Sequence, residues 1–166
     1  MDEFGGAALF DYRVRMSSLA TGGYDHPEAA LKNARDARSL FDAGRFDGAY
    51  YLSGYVVESV IKSIYLVDQT FDRATGTIDP VKLATESKTL AKRPFGHEVR
   101  AILLAVGSFG ASYVPFPPEA DLIQDWHPTI RYREPFVDEF SASSALSWAE
   151  HSLGAITKMK LDGILT

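Results

Sequence analysis

The stretch FDGAYYLSGYVVESVIKSIYL, residues 46–66, decides the fold class. Phe46, Ala49, Tyr50, Ser53, Val56, Val57, Val60, Ile61 and Ile64 recur at i, i+3, i+4 and i+7, the spacing of one face of an α-helix. Tyr51, Leu52, Tyr55 and Leu66 extend the apolar surface beyond a single stripe, which predicts a helix packed on several sides. Small Ser53 and Gly54 lie at its middle, where a neighbouring helix or a second subunit could approach closely. A helix-interior glycine costs about 1 kcal/mol relative to alanine, so some packing gain is expected to offset it.

Working outward, Asp25 and Glu28 have capping-box spacing and Pro27 falls in a first turn, which predicts a preceding helix with Ala30, Leu31, Ala34, Ala37 and Phe41 on one stripe, ending at Asp42-Ala43-Gly44. The short link to Phe46 makes these two segments an αα-hairpin. Asp79-Pro80 opens a third helix to about Leu90, and Pro94-Phe95-Gly96 interrupts before Val99, Ile102, Leu103 and Val106 resume helical spacing. Val114-Pro115-Phe116-Pro117-Pro118 reads as loop, with a brief helix over Glu119 to Trp126. A last helix is expected after Ser141, with Ala142, Ala145, Leu146, Ala149, Leu153 and Ile156 on one face. No strand alternation stands out. The expectation is an all-α, antiparallel helical bundle of four to five helices over residues 25–166, preceded by a loose arm at 1–24 that holds two Gly pairs.

At 166 residues, 46% hydrophobic and 23% charged, the chain fits one domain with a packed core. Its acidic start and lack of any long apolar run predict neither a secretory leader nor a membrane contact, and a cytoplasmic location is the default. Zero cysteines exclude a disulfide framework, a thiolate metal site and a cysteine nucleophile. A net charge of −5 argues against non-specific coating of nucleic acid and leaves room for a local basic patch.

Four segments together resemble the HEPN family: AGRFDGA at 43–49 leading into SGYVVESVIK at 53–62, Gly96-His97-Glu98-Val99, Arg131-Tyr132, and the closing helix. The likeness spans residues 27 to 160, and its most specific part is the apolar helix carrying Glu58 and Lys62 four apart. It implies a HEPN-like bundle, frequent homodimerisation, and nucleotide or RNA binding. Many members of that family work beside a nucleotidyltransferase in toxin–antitoxin or defence systems, and others are ribonucleases marked by an Arg separated from a His by four to six residues. This sequence departs from that pattern: Arg93-Pro94-Phe95-Gly96-His97 has three intervening residues, and Pro94 pushes Arg93 out of helical geometry.

Three groups of residues are candidates for chemistry. Glu58 and Lys62 sit one turn apart, as a structural pair or with Lys62 facing a ligand phosphate. His97, with Arg93 and Arg100 beside it and Lys88 and Lys92 upstream, stands at the head of a helix, either packed or holding an anion. Trp126, Arg131, Tyr132 and Arg133 mix aromatics with guanidinium groups in a loop and are suited to stacking a base while pairing with its phosphate, or to plugging the bundle end with Arg131 bridging to Glu58 or to a helix C-terminus. His26, His97, His127 and His151 lack paired ligand spacing, so no metal and no cofactor is expected. The leading expectation is a non-catalytic nucleotide- or RNA-binding protein. A metal-independent ribonuclease using His97 with Arg93 or Arg131, and a homodimeric interaction module without ligand, are the alternatives.

Overall fold

The computed structural model describes residues 16–92, 96–117, 126–132 and 137–166, and it is mostly helical. Helix α1 spans His26–Asp42 and α2 spans Phe46–Thr70. A two-stranded antiparallel ribbon follows, Phe71–Asp72 (β1) with Thr77–Ile78 (β2), and then α3, Pro80–Leu90. Short helices α4 (Val99–Leu104) and α5 (Ser108–Ala111) precede a 3-10 turn at Pro128–Tyr132, and α6, Glu139–Leu161, closes the chain.

Helix α2 is the axis of the fold. It packs along α1 and α6, and α3, α4, α5 and the 3-10 turn lean on it from other sides. From Ser53 to Val67 every residue except Tyr55 is buried. A helix stretch buried all round has no water for its polar side chains, and three of those in α2 are satisfied locally: Ser53, Ser63 and Thr70 donate to the carbonyls of Ala49, Ser59 and Leu66 at 2.8, 2.8 and 2.6 Å. Ile61, Ile64, Leu66, Ile102, Leu146, Ile156 and Met159 fill the space around them and are buried.

The helix boundaries follow from capping chemistry. Asp25 accepts a hydrogen bond from the Glu28 amide at 3.3 Å, and α1 ends where Gly44 takes φ +71°, a conformation that favours glycine. Asp79 caps α3 by accepting from the Val81 and Lys82 amides at 2.9 and 3.1 Å, with Pro80 at the first helical position. Asp138 accepts from the Ser141 amide at 2.7 Å, so α6 begins at Glu139 rather than after Ser141. The ribbon was not expected. Asp72 accepts from the Ala74 amide at 2.8 Å and Gly76 turns at φ +71°, and a ladder of two residues per strand is too short to show alternation.

The described part of the segment before α1 is fastened rather than loose. Leu19 has no solvent exposure, and Asp25 accepts from both the amide and the hydroxyl of Ser17, at 2.8 and 2.7 Å. One carboxylate therefore caps the helix and ties down the approach to it. Residues 1–15, the helix expected before Trp126, and the proline break at 94–95 lie outside the described residues. No helix of the described residues is long and apolar enough to cross a membrane.

His26 opens α1, half-buried and stacked on Tyr24 with ring centroids 6.1 Å apart. Burial first, and then the nearby Lys62 ammonium, lower its pKa from 6.5 to about 4, while Asp25 opposes the shift. The folded protein therefore keeps His26 neutral where the unfolded chain takes up a proton, and its contribution to stability is complete above pH 6.5 and is lost as pH falls toward 4. Chemical denaturation at pH 7.5 and pH 4.5 should show wild type losing roughly 2 kcal/mol more than His26→Gln, after allowance for partial solvent contact. Parallel losses in the two proteins would remove His26 as the cause.

Candidate functional site: an aromatic strip ending in an imidazole and a guanidinium

Tyr51, Tyr55, Glu58 and Lys62 follow one another at intervals of four, three and four, which places them on a single face of α2. The lower half of that face is charged. Lys62 Nζ lies 2.6 Å from Glu58 Oε1, and the two side chains are 11% and 5% exposed. His97 arrives from the turn before α4 and brings Nδ1 to 3.1 and 3.0 Å from the two Glu58 carboxylate oxygens. Its own side chain stays 49% exposed. Glu58 is thus a buried carboxylate with two nitrogen partners, the condition under which a charge can be held away from water.

The upper half is aromatic. Tyr51 and Tyr55 meet edge to face at 5.0 Å, and the Tyr51 hydroxyl donates to that of Tyr55 at 3.1 Å. Burial first, and with it the charge of Glu58, push the Tyr55 hydroxyl above its ordinary pKa and keep it neutral. Tyr55 also stands edge-on to His97 at 6.1 Å.

Trp126 holds the loop against this face. Its indole, 5% exposed, lies edge to face with Tyr55 at 5.0 Å, and Nε1 donates to the Tyr51 carbonyl at 3.2 Å. It fits because residue 54 is glycine: a Cβ there would lie 1.8 Å from the indole nitrogen. The space over Ser53 and Gly54, read from sequence as an approach for another helix or a second subunit, is taken by a side chain of the same chain. Five residues after the anchor, Arg131 Nη1 donates to the Tyr51 hydroxyl at 3.5 Å, and Nη2 donates to the hydroxyl of Tyr132. The guanidinium carbon stands 4.6 Å from the Tyr132 ring centroid, and Tyr132 is 75% exposed. The hydrogen bonds to Tyr132 and Tyr51 push the Arg131 pKa still higher, so its charge is permanent.

These positions sort the candidates. His97, Arg131 and Tyr132 are brought onto one strip, in the order His97, Tyr55, Tyr51, Arg131, Tyr132. Lys62 is buried against Glu58 and does not face a ligand, and Trp126 is an anchor rather than a stacking platform. Arg131 does not bridge to Glu58, whose partners among the described residues are Lys62 and His97. Arg100 is exposed on α4 and joins none of these contacts, while Arg93 and Arg133 lie outside the described residues. Of the two readings of His97, packed or holding an anion at the helix head, the geometry fits the packed one: α4 starts at Val99 with Glu98 at its N-cap, and the His97 ring turns back to Glu58. No cluster of three or more His, Asp or Glu side chains able to hold a metal occurs among the described residues. The sequence reading missed Tyr51 and Tyr55 as site residues, although their spacing to Glu58 and Lys62 is a visible one-face pattern.

Gly54→Ala should expel the indole, destabilise the protein by about 1–3 kcal/mol as overpacked cores do, and red-shift tryptophan emission as Trp126 meets water. An unchanged spectrum with unchanged stability would show that the seat is not needed. Comparisons with protein-family models, curated proteins and solved structures return no match.

Proposed function

We propose that this chain is a HEPN-like binding protein that recognises a nucleotide or an RNA segment at the strip running from His97 to Tyr132. The observation that carries this reading is the run of contacts joining His97 to Arg131 through Tyr55 and Tyr51, which puts an imidazole and a permanent guanidinium at the two ends of one aromatic surface. A base stacks on exposed aromatic rings, and a guanidinium pairs with phosphate in a planar, two-pronged geometry. The overall charge of −5 fits local recognition rather than coating of a long polyanion. By the family likeness we place the protein beside a nucleotidyltransferase partner and in a homodimer. Any such dimer uses a surface other than the buried α2, whose small-residue notch already holds Trp126.

A ribonuclease is the second reading, favoured by one observation: Glu58 engages Nδ1 of His97 and leaves the rest of the ring toward solvent, as a carboxylate does behind a general base. Titration of the protein with AMP and with a short single-stranded RNA separates the readings. Binding should weaken about tenfold or more in Arg131→Ala, the loss typical of a hydrogen-bonded charge, and should weaken with added salt. Affinity that is indifferent to Arg131 and His97 rejects the site. RNA cleavage in the presence of a chelator that vanishes in His97→Ala puts the ribonuclease first.

A further inference from the structure

We propose that the buried Glu58–Lys62 pair positions His97, holding its neutral imidazole as the Nδ1–H tautomer so that Nε2 faces outward as a proton acceptor for a donor-bearing ligand group. The assignment follows from counting protons around Glu58. Lys62 Nζ donates to Oε1 across 2.6 Å, and a carboxylate paired with an ammonium is acceptor-only. The hydrogen between Glu58 and the ring, 3.0 and 3.1 Å across, must then be carried by Nδ1. A neutral imidazole has one N–H, so Nε2 is left with its lone pair. It has no hydrogen-bond partner among the described residues, on a side chain that is 49% exposed.

Lys62 is part of the device although it is too buried to meet a ligand. It holds Oε1 from one turn further along α2, and it fixes which way the Glu58 head group faces. Carboxylates that set the tautomer of a histidine occur behind general bases and metal-bound imidazoles alike, and the choice of nitrogen follows from the hydrogen bond made by the other one. Both residues are therefore positioning residues acting through His97.

The consequence for recognition is specific. A phosphate oxygen and a neutral Nε2 are both acceptors, so the anion belongs to Arg131, and the group that meets His97 is a hydroxyl or an N–H donor. A ribose hydroxyl beside a phosphate presents that combination. This ligand assignment rests on the strip being a nucleotide site, whereas the tautomer stands on the Glu58 geometry alone.

The test is a long-range 1H–15N correlation spectrum of the full chain labelled with 15N-histidine, recorded at alkaline pH where imidazoles are neutral. His97 should show Nδ1 protonated and Nε2 unprotonated, and a dominant Nε2–H form in the wild-type protein overturns the proposal. In Glu58→Gln, Lys62 keeps the amide oxygen and the amide nitrogen donates to Nδ1, so the dominant tautomer should invert to Nε2–H. An ion pair with a purely structural role would leave the tautomer unchanged. Adding Lys62→Met to that variant frees the amide to rotate, and Nδ1–H should recover. Should the variants fail to fold, the wild-type spectrum alone decides. The expected tautomer in a protein that binds no AMP rejects the nucleotide reading and leaves the positioning role standing, whereas AMP binding with the opposite tautomer does the reverse.

Discussion

A helix enclosed on every side has to satisfy all of its polar groups from within the protein, and α2 meets that demand with Glu58 and Lys62 at its centre. Removing one partner of a buried pair typically costs about 3–5 kcal/mol because the other charge is stranded, so the pair constrains everything packed around it. Lys62 lies against α1 closely enough to depress the protonation of His26, and Glu58 reaches outward to His97 ahead of α4. Two histidines, one on α1 and one ahead of α4, thus respond to the same ion pair. One is kept neutral by burial beside a cation, and the other is engaged by the carboxylate.

The aromatic half of the same face depends on a different constraint, the absence of a Cβ at residue 54. With that space open, the Trp126 indole drops onto the helix backbone, and its N–H finds the Tyr51 carbonyl. The glycine's conformational cost within the helix is offset by a buried tryptophan, whose burial is worth more than the roughly 1 kcal/mol that glycine forfeits. The anchor also fixes the register of the 3-10 turn, so Arg131 comes to the Tyr51 hydroxyl rather than to Glu58. Asp68 does comparable work at the other end of α2: its carboxylate accepts from the Gly107 and Gly110 amides at 2.8 and 2.7 Å and hangs α5 on the helix. Two of the described segments are thus held to α2 by a single side chain aimed at backbone groups.

The helices could be read from the sequence because their signals are local. Asp25, Pro27 and Gly44 bound α1, and Asp79-Pro80 starts α3, through chemistry confined to a few neighbouring residues. The site was legible only in pieces. Glu58 and Lys62 are four apart and were identifiable as a pair, but His97 is 39 residues from Glu58 and Arg131 is 80 from Tyr51, and nothing in one sequence states that they meet. Gly54 carried half of its message, that something approaches closely, and the composition of the helix could not say that the visitor is an indole 72 positions later. Lys62 and Trp126 each had a ligand-facing and a structural reading in the sequence, and burial, which selects the structural one for both, is a property of the packed chain.

Electrostatics bear on the kind of recognition proposed for this strip. Across residues 119–134, which carry Arg131, the sequence has four carboxylates and two arginines, and the whole chain is acidic. An acidic chain gains little from releasing many counterions, so affinity for a polyanion has to come from a small number of well-placed contacts. Arg131 is suited to that role because its guanidinium is already stacked on Tyr132 and hydrogen-bonded to two tyrosine hydroxyls, so less side-chain freedom remains to be lost on binding. His97 is fixed in the same way by Glu58. Preorganisation by neighbouring side chains, Glu58 for His97 and the two tyrosines for Arg131, is therefore the physical basis on which the proposed phosphate-bearing ligand would be held.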